Sequence, residues 1–143
     1  MSRKTRTIRQ KVIINATPEE VYDALMDPKK HAAFTGDEAS GSSEVGGEFI
    51  AWGGYITAKN IELERGKKIV QGWSTSEWPE GSPPSRLEIG LKANPEGTEL
   101  VMMHSQVPEE QADDYDQGWH EHYWNRLNRY FGSEKRKSRR KRV

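Results

Sequence analysis

The segment RQKVIINATPEEVYDALMDPKKHAAFTG, residues 9–36, decides the fold of this chain. An alternating pattern begins one residue before this segment: Ile8, Val12 and Ile14 fall on one parity, and the charged Arg9 and Lys11 fall on the other. A two-residue period of this kind is typical of a strand with one buried face. The pattern ends at residue 15, so the segment predicts a strand that runs directly into a helix.

This helix is predicted to be capped. Thr17 is a good N-cap, Pro18 suits the first helical position, and Glu20 stands three residues after the cap, which is the arrangement of a capping box. Asp27-Pro28 ends the helix, because the residue before a proline avoids helical geometry. A second, short helix is predicted over residues 29–34. The apolar stripe of the first helix consists of Val21, Tyr22, Leu25 and Met26.

Strands separated by turn signals occupy the middle of the chain. The strand patterns cover residues 49–52, 55–64, 68–77, 87–92 and 98–107, and residues 36–47 form a loop or a short edge strand. Trp78–Pro84 is predicted to be a loop, because its three prolines cannot donate to a sheet. In the last strand, the inward parity is predicted to hold Leu100, Met102, His104 and Gln106.

The final element is predicted to be a long helix that opens at Pro108 and ends near Gly132. Its apolar face consists of Tyr115, Trp119, Tyr123, Leu127 and Tyr130 or Phe131. Successive strands favour an antiparallel sheet. The sequence therefore predicts an α+β helix-grip fold, in which a curved antiparallel sheet of six or seven strands wraps around a long C-terminal helix and two short helices come after the first strand.

Composition limits the classes of protein that this chain can represent. Its 143 residues suit one domain, and a mean hydropathy of −0.96 is very polar, so the five Trp, five Tyr and three Phe are expected to fill much of the core. The absence of cysteine excludes disulfides and thiol nucleophiles. No apolar run is long enough to cross a membrane and no signal peptide is visible, so we expect a cytoplasmic protein without membrane insertion.

Charge is segregated along the chain although the net charge is zero. The first 11 residues hold five basic and no acidic side chains, and the last ten hold seven basic and one acidic, which leaves a strongly acidic body. We expect a basic N-terminal extension at 1–6, one domain at 7–132, and a basic tail at 133–143. The tail is interpreted as a solvated, disordered end, with nucleic acid or anionic lipid as less favoured partners.

Several motifs carry a resemblance to a known family. They are VGGEF at 45–49, WPEG at 78–81, HSQVP at 104–108 and QGWHEHYW at 117–124, together with the opening segment. In this order and at these spacings they resemble the branch of the START-like/polyketide cyclase (SRPBCC) superfamily related to the activator of heat-shock protein 90 ATPase. The resemblance spans residues 7–131 and implies the fold of that activator's C-terminal domain.

Three hypotheses describe the function. The resemblance implies first a non-enzymatic, co-chaperone-like or stress-related binding protein whose partner is the 90-kDa heat-shock chaperone, although the family's larger N-terminal domain, which carries the main chaperone contact, has no counterpart here. The second is a carrier or sensor of a small hydrophobic ligand, since many superfamily members hold one between helix and sheet. The third, least favoured, is a cyclase or hydrolase, for which only His104, with Tyr55 or Glu48, offers an acid or base.

These hypotheses select the candidate site residues. No cofactor and no metal are expected, because His120 and His122 are two residues apart on a helix and point about 200° apart. His104 and Ser105 are adjacent on a strand and face opposite sides, so they form no dyad. Trp78, Pro79 and Glu80 are partner-binding candidates. The ligand-cavity candidates are Trp52, Tyr55, Trp73, Leu91, Met102, His104, Trp119 and Tyr123.

Overall fold

A computed structural model describes residues 4–132. The first strand, β1, spans Thr5–Ile14 and so begins before residue 7, the expected start of the domain. Two short helices come next, α1 at Pro18–Met26 and α2 at Pro28–Thr35. The six remaining strands are β2 (Ser40–Gly41), β3 (Glu48–Ala51), β4 (Ile56–Glu64), β5 (Lys68–Thr75), β6 (Ser85–Asn94) and β7 (Gly97–Pro108).

The seven strands form one antiparallel sheet in the order β1-β7-β6-β5-β4-β3-β2. The last helix begins as α3 at Glu109–Gly118, continues through a π-helical segment at Trp119–Trp124, and returns to α-helix at 125–132. We call the whole run, 109–132, the C-terminal helix. It packs on the concave face of the sheet, so the predicted helix-grip architecture is confirmed.

Local sequence signals explain the two short helices. The Thr17 hydroxyl accepts a hydrogen bond from the Glu20 amide at 3.2 Å, and the Glu20 carboxylate accepts one from the Thr17 amide at 3.0 Å, which completes the predicted capping box. Asp27 ends α1 and also caps α2, because its carboxylate accepts from the Lys29 amide at 2.9 Å. The two helices therefore join without a loop, with Asp27 between them.

The inward orientation predicted for Gln106 in β7 is wrong. Leu100, Met102 and His104 are buried as expected, but Gln106 is exposed and Val107 is fully buried instead. A β-bulge causes the change: Ile8 pairs with His104 and Arg6 pairs with Val107, so β7 contains one more residue than β1 between these pairs. Gln106 takes a φ of 61° there, which turns its side chain outward.

The π-helical segment explains the spacing of the aromatic face. Tyr115, Trp119, Tyr123 and Leu127 recur at steps of four residues, and on a regular α-helix each such step drifts by about 40° around the axis. A π-turn holds more residues than an α-turn, so it removes part of this drift. Trp119, Tyr123 and Leu127 consequently all stay buried against the sheet, and Phe131 is buried one step further along.

Candidate functional site

The interior between helix and sheet is filled by indole rings. Trp119 stacks on Trp124 with ring centroids 5.3 Å apart and planes 14° apart, and its centroid lies 5.8 Å from that of Trp73. A cavity of only about 30 Å³ remains beneath these rings. Such a space holds about one water molecule. Trp73 and Trp119 therefore fill the deep space between helix and sheet that the ligand hypothesis would have open.

His104 lies behind these rings in a hydrogen-bond chain that fixes its tautomer. The Trp119 indole N–H donates to His104 Nδ1 at 3.2 Å, so Nδ1 carries no proton. Nε2 then donates to Ser85 Oγ at 2.8 Å, and Ser85 donates onward to the carbonyl oxygen of Trp73 at 2.7 Å. Burial lowers the pKa of His104 to about 3. Its ring is neutral, and neither nitrogen is left over for acid–base chemistry.

A second buried histidine forms a similar chain. His31 Nδ1 donates to the carbonyl oxygen of Leu25 at 3.0 Å, which leaves Nε2 to accept from the Tyr123 hydroxyl at 3.1 Å. Tyr123 in turn accepts from the Trp52 indole N–H at 3.2 Å. Burial lowers the pKa of His31 to about 4, and burial likewise raises the pKa of Tyr123 above its ordinary value. The chain links α2, the C-terminal helix and the turn at Trp52–Gly54.

An open groove of about 600 Å³ lies at the mouth of the grip, outside the filled interior. Trp52, Tyr55 and Ile56 form one wall, Trp73 forms the floor, and the first half of the C-terminal helix forms the other wall. The Tyr115 hydroxyl is hydrogen-bonded to Thr75 Oγ1 at 2.9 Å and donates to Gln111 Oε1 at 2.6 Å. The remaining lining residues are Asp37, Glu77, Asp114, Gln117, Gly118, Trp119, Glu121, His122 and Tyr123.

The predicted cavity residues fall into two groups. Five of them line the groove: Trp52, Tyr55, Trp73, Trp119 and Tyr123. The other three do not: His104 lies beneath Trp73, with ring centroids 4.7 Å apart, while Leu91 and Met102 are core residues that border neither the groove nor the small cavity. The structure thus gathers the five aromatic candidates around the groove and separates them from the aliphatic ones.

The candidates in the Trp78–Pro84 loop lie beside the groove. The Trp78 ring is half-buried, 6.0 Å from Trp73 and 6.1 Å from Tyr115, and its indole N–H donates to the carbonyl oxygen of Pro83 at 3.0 Å. Pro79 is half-buried, and Glu80 is exposed. The loop therefore closes one end of the aromatic cluster and presents Glu80 to solvent.

Sequence reasoning missed part of this site. Ser85 and His31 were not candidates, because nothing in the sequence shows that their partners lie across the fold. The acidic lining was missed too, although Asp114 and Glu121 stand seven residues apart on one helix and so share a face. Asp37 and Glu77 lie outside regular elements, where spacing gives no signal.

The remaining predicted features lie away from the groove. Glu48 is exposed on β3 and does not border the groove that Tyr55 lines, whereas His104 is fully buried. Across residues 4–132, no group of three or more His, Asp or Glu side chains is placed to hold a metal ion. None of the helices described is both long and apolar enough to cross a membrane. The basic tail at 133–143 lies outside the described residues.

Comparison with known proteins identifies the family. The family model described as "Activator of Hsp90 ATPase homolog 1-like protein" matches residues 15–132. The activator of 90 kDa heat shock protein ATPase homolog of Dictyostelium discoideum is 27% identical over 128 residues, which are 89% of this chain and 33% of that protein. Human activator homolog 1 is 29% identical over 116 residues, 81% of this chain and 34% of that protein.

The structural comparison agrees with the sequence match. A crystal structure of an HSP90 activator from Plasmodium falciparum superimposes with a TM-score of 0.75 at 20% identity and covers 90% of this chain and 96% of that one, which supports the fold. The chain spans about a third of the length of the curated relatives it matches. Because the family model covers most of the described structure, this chain belongs to the Activator of Hsp90 ATPase homolog 1-like family.

Proposed function

We propose that this chain is a non-enzymatic binding domain that holds a small, largely apolar ligand in the groove at the mouth of the grip. The observation that carries this proposal is the open space of about 600 Å³ walled by Trp52, Tyr55, Trp73 and Tyr115. Ligand sites are typically concave, apolar spaces of this size with a few polar groups. The deeper interior is excluded as the site by Trp73 and Trp119, which leave room for about one water there.

The surroundings of the two acid–base candidates, His104 and Tyr55, favour binding over catalysis. His104 is the strongest acid–base candidate in the sequence, but both of its nitrogens are hydrogen-bonded and Trp73 and Trp119 separate it from the groove. The Tyr55 hydroxyl donates a hydrogen bond to the Glu77 carboxylate at 3.1 Å. Burial raises the pKa of Tyr55, so its hydroxyl stays protonated and is a weak acid and a poor base. A converging acid and base, which a hydrolase or cyclase needs, is not formed by these residues.

Gly118 allows a direct test of the groove. It lies on the groove wall, and a Cβ built at this position meets only His122 Cδ2, at 3.8 Å. Gly118→Leu should therefore fold and fill part of the groove, and we expect it to weaken binding of the neutral dye Nile red by about tenfold or more. The measurement is a fluorescence titration of the purified protein.

Gly118→Ala is the matched control. Like the leucine variant, it removes a glycine from the helix interior, a change that stabilises a helix by up to about 1 kcal/mol. It adds only one carbon atom to the groove. Dye affinity should therefore stay near that of the unmodified protein. Equal dye affinity in the Leu and Ala variants would place the dye elsewhere and contradict the proposal.

A second function, binding to the 90-kDa heat-shock chaperone, is favoured by one observation. The family model matches residues 15–132, and the relatives that it aligns with are named as activators of that chaperone's ATPase. This chain corresponds to about a third of those proteins, so we propose a weaker contact made by this one domain. The exposed Glu80, beside the half-buried Trp78, offers a polar edge for it.

The chaperone proposal predicts a rise in ATPase rate when this protein is added to the 90-kDa chaperone of the same organism. Glu80→Lys should reduce the rise several-fold, since it reverses the charge of an exposed loop residue without removing a core contact. Glu96→Lys, in the turn between β6 and β7, is the control and should behave like the unmodified protein. No rate increase at high protein concentration would overturn the proposal.

A further inference from the structure

The groove carries charge of one sign. Among the described residues, its lining includes four carboxylates and no lysine or arginine. All four are exposed, and they come from different parts of the fold: one lies just after α2, one just after β5, and two on the C-terminal helix. Three separate parts of the fold thus contribute negative charge to the lining of an aromatic groove. The four residues are Asp37, Glu77, Asp114 and Glu121.

No cation within residues 4–132 pairs with these four carboxylates. Elsewhere, Asp23 pairs with Arg65 at 2.8 Å, Glu99 pairs with Lys11 at 2.7 Å, and Asp113, next to Asp114, pairs with Arg6 at 2.6 Å. In the part of the chain that the structure describes, none of the ion pairs includes one of the four groove carboxylates. Their field is therefore available to a ligand.

Arg126, which contacts Trp52, does not neutralise the groove carboxylates through an ion pair. The Arg126 guanidinium lies 5.4 Å from the centre of the Trp52 ring and donates to the carbonyl oxygen of Thr35. It is not among the residues that line the groove. Its contact with Trp52 nevertheless shows that one of the groove's indoles accepts a cation against its face.

The aromatic walls favour the same kind of ligand as the carboxylates do. The faces of Trp and Tyr rings carry partial negative charge and attract organic cations, most strongly where water is partly excluded. Tyr55 holds Glu77 in place by donating to its carboxylate at 3.1 Å, so a ring and a carboxylate stand side by side at the mouth. A single cationic nitrogen of a ligand can therefore contact the Tyr55 ring and the Glu77 carboxylate together.

We propose that the groove selects an organic cation, that is, an apolar body carrying a protonated or quaternary nitrogen. This inference rests on the proposed ligand-binding function and specifies its ligand class. The apolar body lies against Trp73 and Trp52, while the nitrogen lies toward Glu77 or toward the pair Asp114 and Glu121. An anion of the same shape is repelled by all four carboxylates.

Three probes with one ring system test the charge preference: naphthalen-2-ylmethylammonium, naphthalen-2-ylmethanol and naphthalene-2-carboxylate. We expect calorimetric titration of the full chain to give at least about tenfold tighter binding for the ammonium than for the alcohol, and weaker binding still for the carboxylate. The preference should shrink between about 20 and about 200 mM salt, because screening shortens the reach of exposed charges.

Neutralising single carboxylates separates charge from shape. Glu77→Gln and Glu121→Gln should each weaken ammonium binding by about two- to fivefold, the range for an exposed charge pair, and should weaken alcohol binding by less. Glu96→Gln is the control. Glu96 is exposed in the turn between β6 and β7 and does not line the groove, so its substitution should change neither the ammonium affinity nor the alcohol affinity.

The outcomes distinguish this inference from the function on which it rests. Equal affinities for ammonium and alcohol, or no effect of Glu77→Gln and Glu121→Gln, would overturn cation selection and leave the groove as a site for neutral ligands. Failure of all three probes to bind, together with Nile red binding that Gly118→Leu does not change, would overturn the ligand-binding function itself.

Discussion

Trp119→Ala is expected to destabilise this domain by about 5 kcal/mol. Removing a buried tryptophan costs about 3–5 kcal/mol through lost transfer free energy and the cavity left behind. The ring of Trp119 is only 4% exposed and contacts Trp73, Tyr123 and Trp124. Its loss also leaves His104 Nδ1 without a donor, which adds about 1–3 kcal/mol for an unsatisfied buried acceptor.

Such a loss is large relative to the whole stability of a domain, which is typically about 5–15 kcal/mol. Urea unfolding followed by tryptophan fluorescence or circular dichroism measures the change, and the thermal midpoint should fall by roughly 15 °C. Trp119→Phe keeps a benzene ring but removes the pyrrole ring with its N–H, so its cost combines a smaller cavity with the lost hydrogen bond and should be about 2–3 kcal/mol.

Trp52→Ala is the matched control for Trp119→Ala. Trp52 is also a tryptophan with a hydrogen-bonded indole, but it is half-buried at the groove mouth. Its removal deletes less buried area and should cost about 1–2 kcal/mol. A Trp119→Ala variant as stable as Trp52→Ala would show that the rings between helix and sheet are not the centre of the core.

The fold was predictable from sequence because its signals are local. The capping box of Thr17 and Glu20 and the stop at Asp27-Pro28 depend on residues within one or two turns, and the structure confirms both. Strand parities were also readable, except at Gln106. There a bulge sets the side chain's direction, and a bulge depends on how β7 pairs with β1, about a hundred residues away in sequence.

The candidate site was less predictable because it depends on contacts between distant elements. The aromatic residues Trp52, Trp73 and Trp119 were identified by type, yet only packing decides that Trp119 fills the interior while Trp52 borders an open groove. Likewise, the tautomer of His104 is set by Ser85 and Trp119, which belong to different elements. Neither spacing nor propensity contains this information.

The two buried histidines should make the domain sensitive to mild acid. In the folded state their pKa values are lowered by burial to about 4 for His31 and about 3 for His104, whereas in the unfolded chain a histidine titrates near 6.5. Below pH 6.5 the unfolded state therefore binds protons that the folded state does not. The stabilisation is fully present above that pH and is lost as the pH falls toward 4.

The slope of the free energy of unfolding against pH is set by the number of extra protons that the unfolded state binds. Each buried neutral histidine changes the free energy of unfolding by about 1.4 kcal/mol per pH unit in this window, so the pair gives about 2.7 kcal/mol per pH unit. Carboxylates with lowered pKa values, Asp23 beside Arg65 and Glu99 beside Lys11, lose their contribution only at lower pH, near and below their ordinary values. The steep loss between about pH 6 and 4.5 is therefore assigned to the histidines.

Single histidine variants test this assignment through the slope, which does not depend on how stable each variant is at neutral pH. Urea midpoints measured from about pH 7 to about pH 5 should show half the slope in His31→Gln and in His104→Gln, because each variant loses one titrating group. If stability were constant across this range in the unmodified protein, both histidines would have to be protonated as readily when folded as when unfolded. Equal protonation is incompatible with the two hydrogen bonds in which His104 Nδ1 accepts from the Trp119 indole N–H and His31 Nε2 accepts from the Tyr123 hydroxyl.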